Sequence, residues 1–276
     1  MFPTIEFKAD LHCHSCFSDG TDTPEQLIDL AIKGGLSGLS ITDHDTVAVY
    51  ESAFDLARKA NISLLNGVEF SAAYRSEPVH ILAYGFHLKS SAIAELCEKH
   101  KKRRLLRNQN IVRKLNALGI KISLDELEVQ GSFGRPHIAQ LLLEKGVVIT
   151  IQEAFEKYLA EGKLAYDPGE PISVEQTIDT IHAAKGKAIL AHPHLLKRST
   201  TIRALLTMPF DGLEGYYARL PLDQEEKWLD IGRKKNWIIT GGSDYHGHIK
   251  PRSALGSSWV GKETFDLLYN HFLSVN

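Results

Sequence analysis

Along residues 1–89 short apolar runs alternate with longer stretches whose apolar positions recur every three or four residues. Ile5–Leu11, Leu36–Thr42, Ile62–Val68 and Pro78–Phe86 read as strands. Between the first two, Thr23 or Asp22 caps a helix that opens near Pro24, covers Glu25–Lys33 and stops at Gly34-Gly35. A second helix starts at Asp45 or Thr46 and runs through Ala60. Such strand–helix alternation is the pattern of parallel α/β folds. From Ser90 to about Tyr166 the pattern becomes helical: Ala92–Leu118 reads as one long helix ended by Gly119, and Ser123 precedes Leu124-Asp125-Glu126 as in a capping box. Pro136–Glu144 and Ile151–Leu159 read as shorter helices, and Asp167-Pro168-Gly169 is a turn. Alternation then resumes with helices at Ser173–Lys185, Gln224–Lys235 and Glu263–Leu273 and strands at Lys187–Ala191, Leu213–Tyr217 and Trp237–Gly241. The pattern predicts an α/β barrel formed by residues 1–89 and 167–276, interrupted by a helical insertion at residues 90–166.

Chemistry-bearing residues fall where the predicted strands end. They are Asp10-Leu11-His12-Cys13-His14 with Asp19 following, Thr42-Asp43-His44-Asp45, Val68-Glu69, Val79-His80, Ala191-His192-Pro193-His194 and Gly242-Ser243-Asp244-Tyr245-His246. Active sites of barrels lie at that end of the strands, and imidazoles with carboxylates are ligands of Zn²⁺, Mn²⁺ and Fe²⁺. In an extended segment His12 and His14 point to the same side and Cys13 to the other. Isolated histidines are usually structural; a whole set at one end of many strands points to a multi-metal hydrolase.

Composition narrows the setting. Hydrophobic residues make up 43% and charged residues 24%, enough for a full core, and a formal net charge of −2 leaves no global basic field to draw the chain onto duplex DNA. Cys13, Cys16 and Cys97 do not form a disulfide framework, and Cys13 with Cys16 lacks the second pair that a cysteine metal site needs. The opening Met-Phe-Pro-Thr-Ile-Glu-Phe has no signal-peptide pattern and no apolar run reaches membrane-spanning length, so a cytoplasmic setting is expected.

The motifs Asp10-Leu-His12-x-His14 with Ser18-Asp19-Gly20, Ile41-Thr-Asp43-His44-Asp45, Gly67-Val-Glu69, Ala191-His192-Pro193 and Gly242-Ser-Asp244-x-His246 resemble the PHP (polymerase and histidinol phosphatase) superfamily. The resemblance implies a distorted (β/α)7 TIM-like barrel holding two or three divalent ions, Mn²⁺ foremost, with Zn²⁺ or Fe²⁺ as alternatives. By position it places His12, His14, Glu69 and Asp244 on a first ion. Glu69 would bridge to a second, completed by His80 and His192, and Asp19, His44 and His246 would hold a third. Asp19 stands where many members have His, which favours a harder ion such as Mn²⁺ there. His192, Asp244 and His246 are expected at the reacting phosphoester as catalytic residues. Asp43 is expected to accept an imidazole N–H, Asp45 to cap a helix, and Asp10 to orient a ligand.

Such a centre suits phosphoester hydrolysis by a water that the ions activate. In the insertion, Gly134-Arg135-Pro136-His137 puts Arg135 and His137 near a helix N-terminus, where phosphate binds well; His194 and His248 are candidate phosphate contacts or ligands, or merely exposed rings. The basic stretch Lys99–Lys114 has no acidic residue and reads equally as an RNA guide or a solvated face. Tyr216, Tyr217 and Tyr245 are candidates to stack on a base, and Arg219 to meet a phosphate. Members with this insertion and the Gly-Arg-Pro-His segment remove the 3′-phosphate of nucleoside 3′,5′-bisphosphates or trim short RNA from its 5′ end. The resemblance therefore implies a small nucleotide or short RNA as substrate, with release of the 3′-phosphate as the leading reaction and 5′-to-3′ exoribonuclease action as the alternative. A histidinol-phosphate phosphatase and a non-catalytic metal-binding module are lower alternatives. Nothing in the sequence reports the oligomeric state.

Overall fold

The computed structural model describes residues 6–126 and 132–276. Strand β1 (Ala9–Cys13) pairs in parallel with β2 (Gly38–Ile41), and β2 with the two-residue β3 (Ser63–Leu64). Ile5, where the first strand was expected to begin, lies outside the described residues. Helix α1 (Pro24–Lys33) follows β1 with a complete capping box: Thr23 Oγ1 accepts the Gln26 N–H at 3.3 Å and Gln26 Oε1 accepts the Thr23 N–H at 2.8 Å. Helix α2 (Tyr50–Lys59) starts later than expected and has no side-chain cap.

The run Ile62–Val68 is divided between two sheets. Asn66 turns the chain there, its Nδ2 donating to Phe86 O at 2.8 Å. Strand β4 (Gly67–Tyr74) then forms an antiparallel hairpin with β5 (Glu77–Tyr84). Arg75 and Ser76 between them have φ of 46° and 70°, the positive values that a two-residue hairpin turn demands. The strictly parallel alternation expected from the sequence therefore fails at β5, which is also antiparallel to β6 (Lys187–Leu190). Parallel pairing resumes from β6 to β7 (Gly212–Tyr217) and from β7 to β8 (Ile238–Gly242).

The described strands thus lie in a three-stranded and a five-stranded sheet. The sheets meet at two seams. At one, the Asp244 N–H donates to His12 O and the His14 N–H to Tyr245 O, both at 2.8 Å. At the other, the Glu69 N–H donates to Thr42 O at 3.1 Å and the Asp45 N–H to Glu69 O at 3.0 Å. Gly242 is required at the first seam, because a Cβ there would lie 2.4 Å from His12 N. Both seams run beneath the strand-end residues, so joining the sheets there also gathers the chemistry.

Helix α3 (Ser91–Ala117) spans the predicted long helix. Helices α4 (Arg135–Glu144) and α5 (Ile151–Ala154) follow, and a π turn at Phe155–Leu159 continues α5. Ile111 and Leu115 of α3 bury against Ile138, Leu142, Ala154 and Leu159 in a core of their own, each large side chain contributing about 1.5–3 kcal/mol. Ser123 takes part in a short turn at Leu124–Glu126, and any continuation falls outside the described residues. Helices α6 (Val174–Ala183), α7 (Ser199–Leu205), α8 (Leu222–Lys235) and α9 (Lys262–Val275) complete the chain. Only α7 was not anticipated; it is short and carries consecutive threonines, which have weak helix propensity. Among the described residues no helix is long and apolar enough to cross a membrane.

Candidate metal centre and phosphate pocket

The nine residues that the resemblance assigns to the three ions converge on one centre around Glu69. One carboxylate oxygen, Oε1, lies 2.8 Å from His80 Nδ1 and 2.9 Å from His192 Nε2. The other, Oε2, lies 3.1 Å from His14 Nε2, 3.2 Å from His44 Nδ1 and 3.3 Å from His12 Nε2. Asp244 Oδ1 stands 3.5 Å from His14 Nε2 and 3.4 Å from His246 Nδ1. Asp19 closes the far side, 3.4 Å from His246 Nε2 and 3.8 Å from His44 Nε2. Its loop folds back so tightly that a Cβ at Gly20 would lie 2.2 Å from His14 O.

The donors form three overlapping sets: His14, Asp19, His44 and His246; His12, His14 and Asp244; His44, Glu69 and His80. Within each set one donor atom per residue lies within 4.8 Å of the others. His12 Nε2, His14 Nε2, His44 Nδ1 and Asp19 Oδ1 are buried without a hydrogen-bond partner among the described residues. Buried polar atoms are seldom left so, and here they aim at one another as ligands around a cation do. The donor set fits divalent ions.

Electrostatics agree. Burial would raise the carboxyl pKa of Glu69, Asp244 and Asp19, yet the surrounding imidazoles hold all three well below the usual range. Burial pushes His44 down to about 3. On His14 burial acts the same way, but Asp244 and Glu69 overcome it and lift the ring to about 9. A cation entering the centre therefore displaces protons from such rings. His192, Asp244 and Asp45 have φ of 26°, 50° and 59°. Such strain, about 1–3 kcal/mol each, clusters at functional sites.

The residues around the ligands correct several expectations. Asp43 accepts no imidazole N–H. Its Oδ1 takes the Ser15 N–H at 2.8 Å and the Ser18 hydroxyl at 2.6 Å, and its Oδ2 takes the Ser15 hydroxyl at 2.6 Å. It braces the loop that carries His14 and Asp19. Asp10 takes the N–H groups of His12, Ser243 and Gly256 at 3.1, 3.0 and 2.8 Å, so it fastens the β1–β8 seam rather than a ring. Asp45 caps no helix: its Oδ1 accepts the Ser71 N–H at 2.7 Å and its Oδ2 accepts Arg104 Nε at 2.6 Å.

Glu214 in β7 was missed altogether. It is buried, with Oε1 2.8 Å from His12 Nδ1 and Oε2 accepting the His192 N–H at 2.8 Å. An acidic residue inside a buried strand was the available signal. Tyr217 is no free stacking platform: its hydroxyl donates to Asp244 Oδ2 at 2.6 Å, and Lys250 Nζ binds the same oxygen. Tyr245 donates to Asp22 Oδ2 at 2.6 Å, and Tyr216 packs against the core.

A cavity of about 220 Å³ opens beside His44, His80 and Asp19. Arg103, Arg104 and Arg107 of α3 and Arg135 of α4 line it, with Phe155 and Tyr166. Among the described residues only Arg104 of these is ion-paired, to Asp45. Arg103 reaches Ser71 O at 3.3 Å, Arg135 reaches Leu159 O at 3.1 Å, and Arg107 has Asn108 Oδ1 at 3.5 Å. None of these three has a carboxylate partner among the described residues. Burial and the neighbouring guanidinium groups push Arg107 well below the usual arginine range. Buried cations without counter-ions make a site for an anion.

Arg135 thus lies where the sequence placed it. His137 instead serves the backbone, its Nδ1 accepting the Gly134 N–H at 3.1 Å, and it does not line the cavity. The His194 and Tyr217 rings meet edge to face with centroids 4.5 Å apart, and His194 Nδ1 is buried and unpartnered among the described residues, on the Asp244 side of the centre. Arg219 donates to Arg252 O at 3.4 Å and His248 is exposed; neither lines the cavity. Cys13, Cys16 and Cys97 are free thiols.

The PHP domain family model matches residues 10–165, more than half of the chain. The chain belongs to the PHP family. A 5′-3′ exoribonuclease (Rnm) of Escherichia coli K12 is 31% identical over 86% of this chain and 84% of its own length. A 3′,5′-nucleoside bisphosphate phosphatase of Chromobacterium violaceum is 30% identical over 86% of each. Among solved structures, a candidate metal-dependent phosphoesterase from Bifidobacterium adolescentis superposes with a TM-score of 0.87, at 31% identity, over 95% of this chain and 96% of that one. This PHP protein is a hydrolase of the metal-dependent phosphoesterase type, and its clustered imidazoles and carboxylates suit divalent ions.

Proposed function

We propose that this PHP phosphoesterase hydrolyses the 3′-phosphoester of nucleoside 3′,5′-bisphosphates, reading the 5′-phosphate in the arginine pocket. The observation that carries this reading is the placement of Arg103, Arg107 and Arg135, buried or half-buried without counter-ions, in a cavity whose wall includes the ligand candidates Asp19, His44 and His80. One phosphate occupies the arginines while a second phosphoester of the same nucleotide reaches the centre. The basic residues of α3 favour a mononucleotide over a strand. Its inward arginines converge on the pocket, whereas outward Lys102 pairs with Glu98 at 3.7 Å and Lys114 with Asp167 at 3.3 Å.

Ions held by His12, His14, Glu69 and Asp244, by Glu69, His80 and His192, and by Asp19, His44 and His246 would supply Lewis acidity and a water acidic enough to attack at neutral pH. Glu69 offers one oxygen to each side and spans the first two groups; Asp19 gives the third a hard oxygen, which favours Mn²⁺. Tyr217 and Lys250 hold Asp244 Oδ2, leaving Oδ1 for the centre. Arg135 and its partners orient the substrate and offset its charge. In this reading the two sheets act as one distorted barrel, residues 1–89 and 167–276, and residues 90–166 form a cap that carries all four pocket arginines.

A second reading, trimming of short 5′-phosphorylated RNA, is favoured by the Escherichia coli relative. It is also favoured by a further cavity of about 340 Å³ that runs past His192 to Lys197. The test is phosphate release by Mn²⁺-loaded protein from adenosine 3′,5′-bisphosphate, beside 5′-AMP and a 5′-phosphorylated RNA trimer. Rapid release from the bisphosphate is expected. Trimming of the trimer without phosphate release would replace this reading with the exoribonuclease, and inactivity on both would remove the nucleotide.

A further inference from the structure

Glu214 has both carboxylate oxygens committed, one to a side chain and one to a backbone, on opposite sides of the centre. We infer that Glu214 is a positioning residue: it makes His12 an Nε2 ligand and holds the His192 backbone so that its ring reaches Glu69, joining two halves of the metal centre through one carboxylate. The inference rests on the ligand assignment above.

A neutral imidazole carries one N–H and one lone pair, and a carboxylate only accepts. With Glu214 Oε1 at 2.8 Å, the proton of His12 belongs on Nδ1. The lone pair is then on Nε2, which faces Glu69 and Asp244 and has no hydrogen-bond partner among the described residues. His192 has φ 26° and ψ 59° and precedes Pro193. L-residues rarely adopt this conformation, and proline restricts the residue before it further. The Glu214 bond to the His192 N–H holds that backbone while Nε2 lies 2.9 Å from Glu69 Oε1. The rings of His12 and His192 stack at 5.8 Å as a result of sharing this anchor.

Glutamine cannot replace Glu214 in this role, although it matches it in shape. With its oxygen toward His192, its NH₂ faces His12 Nδ1 and forces the ring proton onto Nε2, where the ion should bind. With the amide reversed, the NH₂ meets the His192 N–H and the anchor is lost. Either way one half of the centre fails.

The experiment uses the full chain loaded with diamagnetic Zn²⁺ and labelled with ¹⁵N-histidine, with the His12 signals identified by their absence in His12→Gln. The wild-type protein is expected to show His12 bound through Nε2 and protonated at Nδ1. Glu214→Gln is expected to bind Zn²⁺ and Mn²⁺ about 10–100-fold more weakly in a chelator competition. Its thermal unfolding without metal checks that the variant folds. If the wild-type His12 signals do not respond to Zn²⁺, the ligand assignment itself fails. If His12 binds through Nδ1, or if folded Glu214→Gln keeps wild-type affinity, the inference is overturned while the assignment stands. Should Glu214→Gln not fold, the wild-type His12 spectrum still decides the tautomer.

Discussion

Replacing Arg107 with Met should make the protein more stable and worse at its work. Arg107 is 7% exposed and has no carboxylate partner among the described residues. In the substrate-free protein it is a cation held out of water, beside Arg103, Arg104 and Arg135. Met of similar length fills the space and removes the repulsion. Exchanging buried charge for apolar side chains is worth about 1–4 kcal/mol where the charge is poorly compensated. The lower half of that range applies, since the cavity admits water. For a chain of this size about 1–2 kcal/mol corresponds to roughly 2–4 °C in Tm. Binding moves the other way. Losing one partner of a desolvated charge pair costs about 2–5 kcal/mol. Three arginines remain, so about 2–3 kcal/mol is expected, or roughly 30–150-fold in kcat/KM. The assay pairs thermal unfolding with kcat/KM for adenosine 3′,5′-bisphosphate and for 4-nitrophenyl phosphate, which has no second phosphate. Arg107→Met should lose activity on the bisphosphate alone, and inorganic phosphate should stabilise it less than the wild type. Equal losses on both substrates, or a lower Tm with unchanged selectivity, would refute the argument that Arg107 is an anion receptor kept at a cost to stability.

Further predictions concern the centre and its supports. Glu69→Gln and Asp244→Asn should each lower turnover by about a thousandfold or more, several kcal/mol of charge stabilisation, while circular dichroism stays native; retained activity would remove that residue from the ligand set. Chelation should abolish turnover and lower Tm, and Mn²⁺ at about a hundredfold over its Kd should restore about 2.7 kcal/mol per site; a Tm indifferent to chelator would refute the buried donor cluster as an ion site. Asp45→Asn leaves Arg104 buried and unpaired and should cost about 3–5 kcal/mol at pH 7. Burial opposes the charge on Asp45, but Arg104 and His100 hold its pKa below the ordinary 3.8. Its contribution is therefore present above that value and is lost as pH falls through the acid range beneath it, so wild type and variant should converge in urea unfolding below about pH 4. A gap that stays constant with pH would show that Asp45 is not the ionised partner.

The metal-ligand candidates were legible because a strand end imposes position on sequence: His12 and His14 share a face by the two-residue period, and Asp244 follows β8 beside them. The hairpin β4–β5 was not legible. Arg75 and Ser76 lack the Asn-Gly pattern that announces positive φ, and the alternation of apolar and polar residues is the same for parallel and antiparallel partners. The arginine pocket left a trace that was read too coarsely. On α3, Ile93 and Leu96 are buried on the same stripe as Ile111 and Leu115, and between them the stripe is occupied by His100, Arg104, Arg107 and Asn108. Polar residues at positions that helical periodicity reserves for the core are the mark of a site; counted only as a run of positive charge, they looked like a surface. His137 shows the reverse error, since a residue near a helix N-terminus can serve the backbone N–H that the helix leaves open rather than a ligand.

His44 and Asp45 are consecutive, yet one turns into the metal centre and the other into α3. The positive φ of Asp45, 59°, makes that divergence possible. Asp45 then holds Arg104 at 2.6 Å and the Ser71 N–H at 2.7 Å, and Arg104 reaches Ser71 Oγ at 2.9 Å. The helix that supplies Arg103 and Arg107 is thereby tied to the residue following a metal-ligand candidate, with no flexible segment between. Rotation of α3 would break a buried ion pair, so the separation between pocket and centre is set by covalent geometry and one salt bridge. If the pocket takes the 5′-phosphate, this clamp selects substrates by the distance from that phosphate to the next phosphoester. That distance is nearly the same in a 3′,5′-bisphosphate and at the first linkage of a 5′-phosphorylated RNA. Discrimination between the two must therefore come from what lies beyond the scissile bond, where a strand needs an exit and a free phosphate does not.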